Sequence, residues 1–302
     1  MIIDYENQIK ILNGFLKKNL FSVSLLFWGP EKVGKKTIAQ EFIRGIFCEN
    51  KIFGGCNNCR VCLSKNNADF LFLQKESYGI DEVKNIIKFL NSTPLISDKK
   101  VVLIDNAHLL TIEAQNAFLK TLEELPKNSI VILITSQPDL LLETIYSRLL
   151  KIYFGLAKKE EIEELLKNNL SDEKLIDKIA RYSFLRIGLA YDFITNQEIL
   201  KEFEKKVKLV LSLEKISKAN KIYLISKYQN MLENIWDIWQ IVLRDEVVQK
   251  LTIGYTYLLT KNRNIEINSN LLAFKALNSQ FEMKPLNSFS SKILALKTSF
   301  LL

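Results

Sequence analysis

The sequence predicts an α/β fold over residues 1–155, a parallel sheet with helices on both faces, followed by two helical units at 156–196 and 197–302. Three observations predict it. Short apolar runs alternate with helix-period segments through the first 155 residues, the pattern of strands joined by crossover helices. A glycine-bounded loop joins the first run to the first of the helices that follow. After Gly155 strand-like runs stop and a 3.6-residue period takes over.

The elements follow in order. Residues 5–20 carry Ile9, Ile11, Leu12, Phe15 and Leu16 at helical spacing. Residues 25–28 (LLFW) are too few for a helix, end at Gly29-Pro30, and read as a buried strand. A helix follows over Lys35–Phe47. Further strands are expected at Phe70–Leu73, 101–104, 130–134 and 152–154, with helices at 81–90 and 112–125, the second stopped by Pro126. Residues 158–170 form a charged amphipathic helix, and Ser171-Asp172-Glu173 marks a fresh helix start. No strand series and no repeat of fixed period follows.

Composition excludes several classes. With 302 residues, 48% hydrophobic and 25% charged, the chain is ordinary for a globular protein. Ten Gly and five Pro exclude collagen-like and low-complexity structure. No uninterrupted apolar run reaches the roughly 18 residues of a membrane span. The start, MIIDYENQIK, lacks the basic and apolar regions of a signal peptide, so a cytoplasmic location without membrane contact is expected. The net charge of +8 is uneven: residues 201–302 hold 16 basic and 9 acidic side chains, the first 200 residues 26 and 25. The basic residues are scattered, which reads as solvated helix faces; an acidic partner or nucleic acid is the alternative.

Gly29-Pro-Glu-Lys-Val-Gly34-Lys35-Lys36-Thr37 sits between strand and helix and matches the phosphate-loop spacing G-x-x-x-x-G-K. Backbone N–H groups and the helix N-terminus favour a phosphate there, and Lys35 reaches the terminal phosphates. The next position normally supplies a hydroxyl to Mg²⁺, but here it is Lys36. Thr37 stands one step late, rotated by about 100° around the helix. The strand 101–104 ends in Asp105, placed to complete the metal site, and Asn106 follows where a water-polarising acid would be needed. Both departures point to a loop that holds a nucleotide weakly or not at all, without hydrolysing it.

All four cysteines, Cys48, Cys56, Cys59 and Cys62, fall within fifteen residues as C-x7-C-x2-C-x2-C. A C-x2-C knuckle presents two thiolates to one ion, and four close a Zn²⁺ tetrahedron with no open position, so the expected role is structural. Gly54, Gly55, Asn57 and Asn58 allow the turns. Direct reading of nucleic acid by this module is a weaker alternative. His108 is the one histidine, with no nucleophile beside it in sequence, so a structural role is expected. Glu123 and Glu124 read as exposed, and Trp236 and Trp239 as packing residues of a helical stretch.

In order along the chain stand the phosphate loop, the cysteine cluster, VVLIDNAHLL (residues 101–110), the segment Asn116–Glu124 (NAFLKTLEE), and ILITSQPDLLLETIYSRLL (residues 132–150). This series resembles the bacterial replicative clamp-loader family of the AAA+ superfamily, densely over residues 5–155. The resemblance implies an AAA+ phosphate-loop sheet with an inserted zinc module at 48–62, a small helical lid at 156–196 and an all-α oligomerisation collar at 197–302. It implies that Arg148, in Ser147-Arg148-Leu149, is a trans arginine finger serving ATP on a neighbouring subunit. It places Gly29, Gly34, Lys35, Lys36, Thr37 and Asp105 around a nucleotide, with Arg186 as the nearest match to the family's nucleotide-sensing arginine. Within the family, Lys36 and Asn106 favour the delta-prime type, part of DNA polymerase III, over the motor subunits gamma/tau. The implied partners are gamma/tau, delta, the sliding clamp and primed DNA in the assembled complex, and the implied cofactors are structural Zn²⁺ and ATP or ADP. An active motor ATPase and a zinc-dependent nucleic-acid binder are the competing readings.

Overall fold

The computed structural model describes residues 5–18, 22–64 and 67–214. Five strands, β1 (Val23–Trp28), β2 (Phe70–Leu73), β3 (Lys100–Ile104), β4 (Ser129–Thr135) and β5 (Leu150–Tyr153), form one sheet in the order β2-β3-β4-β1-β5. Every pairing is parallel, with Leu25 opposite Ile132 on one side and Leu150 on the other.

Alternation of side chains across the pleat divides the strand residues between two cores. Leu25, Phe27, Val101, Leu103, Ile130 and Ile132 face one way and pack with α1 (Glu6–Lys18) and α2 (Lys35–Phe47), which contribute Leu12, Leu16, Ile38, Phe42 and Ile46. Leu26, Val102, Ile104, Val131 and Leu133 face the other way, onto α4 (Ile80–Asn91) and α5 (Ile112–Glu123), through Val83, Ile86, Leu90, Phe118 and Leu122. The three central strands are buried on both faces, which explains why their sequences are continuous apolar runs rather than alternating ones.

Most element ends shift by one or two residues from expectation, and two of the shifts have a visible cause. The last strand starts at Leu150 and stops at Tyr153, one residue short of Phe154. Phe154 still donates its N–H to the Trp28 carbonyl, and its buried ring packs against Tyr5 and Phe27, each 5.0 Å away between centroids. The helix at 112 ends at Glu123, because Leu125 precedes Pro126 and is pushed out of helical geometry. A turn of helix not foreseen in the sequence, α3 (Arg60–Leu63), closes the cysteine segment, and another, α6 (Glu143–Tyr146), precedes Arg148.

Three helices follow the sheet: α7 (Lys159–Asn169), α8 (Glu173–Ser183) and α9 (Ile187–Thr195), packed on one another. Asp172 caps α8 by accepting from the Lys174 and Leu175 amides. One compact unit ends at Gln197. Beyond it only α10 (Gln197–Glu214) is described; Trp236, Trp239 and the rest of the expected collar lie outside the described residues. Among the described residues no helix is long and apolar enough to cross a membrane.

Candidate functional site

A cleft of about 430 Å³ opens where β1, β3 and β4 end, with Gly34, Lys35, Lys36, Thr37, Asp105 and Asn106 in its wall. The carboxyl edge of a parallel sheet is where open α/β folds bind ligands. The loop from β1 to α2 needs glycine at both ends. Gly29 has φ 139°, and a Cβ there would stand 2.0 Å from the Phe154 carbonyl oxygen. Gly34 has φ 94° and leads directly into α2.

Lys35 is buried at 6% exposure and donates to the Gly29 carbonyl at 2.6 Å and to the Pro30 carbonyl. Burial lowers its pKa to about 8; the carboxylates of Glu31 and Asp105 oppose the shift and the Arg186 charge adds to it. Lys36, one position on, runs the opposite way. Its Nζ lies 2.6 Å from Gln74 Oε1, 3.7 Å from Asp105 Oδ2 and 4.7 Å from the centre of the Phe72 ring. Asp105 is nearly buried, and its Oδ1 accepts the Asn106 amide at 3.1 Å. Asn106 takes a left-handed backbone, φ 53°, which Asn adopts more readily than Glu does. Thr37 lines the cleft as an exposed residue.

The start of α9 sits against this loop. The Leu189 amide donates to the Lys32 carbonyl at 3.2 Å, and the Lys32 ammonium pairs with Asp192 at 2.7 Å. A Cβ on Gly188 would meet the Lys32 carbonyl oxygen at 2.6 Å, so the approach depends on glycine. Arg186 is the N-cap residue of α9. It is not in the cleft wall, although its charge reaches Lys35.

Arg148 is also absent from that wall. Its Nε donates to Glu123 Oε1 at 2.8 Å, its Nη2 donates to the same oxygen, and its Nη1 donates to the Thr144 carbonyl. Glu123 is therefore an ion-pair partner and not only an exposed acid. His108 is half-buried, with Nδ1 3.1 Å from Thr135 Oγ1, and burial lowers its pKa.

The four cysteines converge: their sulfurs all lie within 4.8 Å of one another, and none forms a disulfide. A tetrahedral Zn²⁺ with Zn–S of about 2.3 Å separates its sulfurs by about 3.8 Å, so the donor set fits that ion. The knuckles carry N–H donors to sulfur, from Cys59 to Cys56 Sγ at 3.3 Å and from Cys62 to Cys59 Sγ at 3.5 Å. Backbone N–H groups, led by Asn58 and then Cys59, hold the Cys56 thiol down to about 6, which favours the thiolate a metal needs. Burial pushes Cys62 up to about 11. Gly55, at φ 80°, brings backbone so near that a Cβ would lie 2.9 Å from Cys62 Sγ.

Sequence reasoning missed Glu31, Gln74, Ser136, Gly188 and Asp192, all of which line the cleft. Ser136 was findable, since it follows β4, the neighbour of β1, at the carboxyl edge. Gln74 was findable on the same ground, since it follows β2 beside β3, but nothing in the sequence signalled Asp192.

The family described as "DNA polymerase III, delta subunit" matches residues 5–158, just over half of the chain. DNA polymerase III subunit tau of Bacillus subtilis is 32% identical over 179 residues, covering 58% of this chain and 32% of that protein. Subunit delta' of Bacillus subtilis is 32% identical over 163 residues, covering 52% and 50%. Subunit delta' of Pseudomonas aeruginosa is 30% identical over 156 residues, covering 49% and 48%. The chain thus matches about a third to a half of the length of these relatives. A crystal structure of a gamma-subunit-related protein of DNA polymerase III from Thermotoga maritima aligns with 89% of this chain and 98% of its own, at 19% identity and a TM-score of 0.49.

Proposed function

Because the chain belongs to the DNA polymerase III delta-subunit family, we propose that it is a delta-prime-type subunit of the clamp loader, unable to hydrolyse ATP alone. It works with gamma/tau-type motor subunits and a delta subunit to load the sliding clamp on primed DNA. Residues 1–155 form the AAA+ core, 156–196 the lid, and 197–302 the collar that holds the ring together.

The observation that carries this reading is Lys36 beside Asp105, with an ammonium where hydrolysis needs a hydroxyl-bound Mg²⁺. Asn106 supports it, since an amide cannot take the proton of an attacking water. Arg148 is the trans arginine finger: it sits outside its own cleft and exchanges Glu123 for the phosphate of a neighbouring subunit. Cys48, Cys56, Cys59 and Cys62 hold a structural Zn²⁺ that fastens the segment after α2.

The isolated chain is expected to show no ATP turnover. In a complex assembled with gamma/tau and delta, Arg148→Ala removes turnover at the adjoining site by about 10³-fold and leaves assembly intact. Turnover by the isolated chain that Lys35→Ala abolishes overturns the reading.

A further inference from the structure

We infer that the Lys36 ammonium is a resident cation in place of the divalent metal, and that the cleft binds the polyphosphate of a nucleotide without Mg²⁺. The inference rests on reading residues 29–37 as a phosphate loop, and goes beyond the loss of hydrolysis proposed above.

In a hydrolysing phosphate loop, Mg²⁺ is held by the hydroxyl after the loop lysine and by the acid at the end of a neighbouring strand. Mg²⁺ demands near-octahedral oxygen ligands at about 2.0–2.1 Å. The residues present do not fit that ion. The hydroxyl ligand is gone, and Thr37 stands a step further round α2. Its place is taken by a side chain that ends in a charge, and that charge has partners on three sides. Lys36 Nζ has the Gln74 amide oxygen at 2.6 Å, the Asp105 carboxylate at 3.7 Å and the Phe72 ring beneath it at 4.7 Å. An amide oxygen, a carboxylate and a ring face are what an ammonium prefers. A dication brought to Asp105 would meet this charge and be repelled.

The rest of the cleft keeps the geometry of a phosphate loop. Lys35 stands at the base of the loop with its ammonium on the Gly29 and Pro30 carbonyls, and α2 starts there with the backbone N–H groups of its first turn free of helical partners. The cavity, about 430 Å³, is within the range of small-ligand sites. Lys32 adds nothing to this, because Asp192 holds it. Glu31, Asp105 and Asp192 line the same wall, so the lysines offset carboxylates already there, and a guest is to be held by the loop amides with the Lys36 ammonium standing where the hydrolysing members place a metal.

The test is calorimetric titration of the full chain with ATP, and in parallel with pyrophosphate and inorganic phosphate, in Mg²⁺-free buffer without chelator, which leaves the cysteine cluster untouched, and in excess Mg²⁺. ATP is expected to bind with affinities within about twofold of each other in the two buffers, and Lys36→Ser to weaken binding about tenfold without Mg²⁺ and regain it with Mg²⁺. Pyrophosphate binding as tightly as ATP assigns the grip to the phosphates alone, and tighter ATP adds the nucleoside; both support the inference. Wild-type binding that weakens about tenfold or more when Mg²⁺ is left out, or no binding of any of the three, overturns it. Neither result touches the turnover test above, so the two readings fail separately. Lys36 is partly exposed, and circular dichroism of Lys36→Ser checks that the fold is kept.

Discussion

Lys35 and Lys36 are neighbours of identical chemistry with opposite environments. One is buried among its own loop's carbonyls, and the other reaches two further loops. The burial of Lys35 has a pH signature. Its folded pKa, about 8, lies below the ordinary 10.5, so between these values the unfolded chain holds a proton that the folded chain has shed. Stability from this group therefore rises with pH across that window. Thermal unfolding of wild type and Lys35→Met should show wild type gaining on the variant from pH 8 to 10.5; a constant gap contradicts the burial argument. At this scale the sequence was legible where a motif fixes the residue: both glycines of the loop, both lysines, Asp105 and the cysteines. It was opaque where a partner comes from afar. Glu123 and Arg148 are 25 positions apart, and no periodicity joins them.

Short elements are shaped by single polar groups. Asp69, fully buried just before β2, accepts the amides of Leu95, Ile96 and Ser97 at 2.7–2.8 Å and lies 3.7 Å from Lys100 Nζ. Burial pushes its carboxyl up, but these amides and the Ser97 hydroxyl together outweigh it, and the pKa falls. Its contribution is present above the ordinary carboxylate range and lost as pH drops through the lowered folded value. Asp69→Asn should cost about 3 kcal/mol, measured by urea unfolding; a loss within error means the loop holds without it. The cysteine segment is the second case. Chelation by EDTA, or Cys59→Ser, should expose the segment after α2 to proteolysis while β1–β5 stay protected. Gly55→Ala should lower metal content, because its methyl would meet Cys62 Sγ. Metal at well under one equivalent in the wild-type protein contradicts a zinc role. Helices and buried strands were legible from apolar spacing, whereas α3 and α6, at four residues each, are too short to show a period.

Across the whole molecule, the sheet order places β1 in the interior between β4 and β5, so the phosphate loop emerges between two neighbours and not at an edge. Strand alternation with helices predicted the parallel sheet, but not the order, because short apolar runs carry no label for their neighbours. Coexpression with gamma/tau and delta subunits should retain this chain through gel filtration, and the chain alone should run apart from the clamp; failure to copurify contradicts the proposed ring. The contact of α9 with the phosphate loop has a mechanical consequence. The Lys32 carbonyl takes the Leu189 amide while Lys32's own side chain grips Asp192 one turn further along α9. Two points of contact on the same helix set its orientation against the loop as well as its distance. The loop and the first turns of α9 are thus pinned to one another in direction, as two nails fix a batten where one would let it swing.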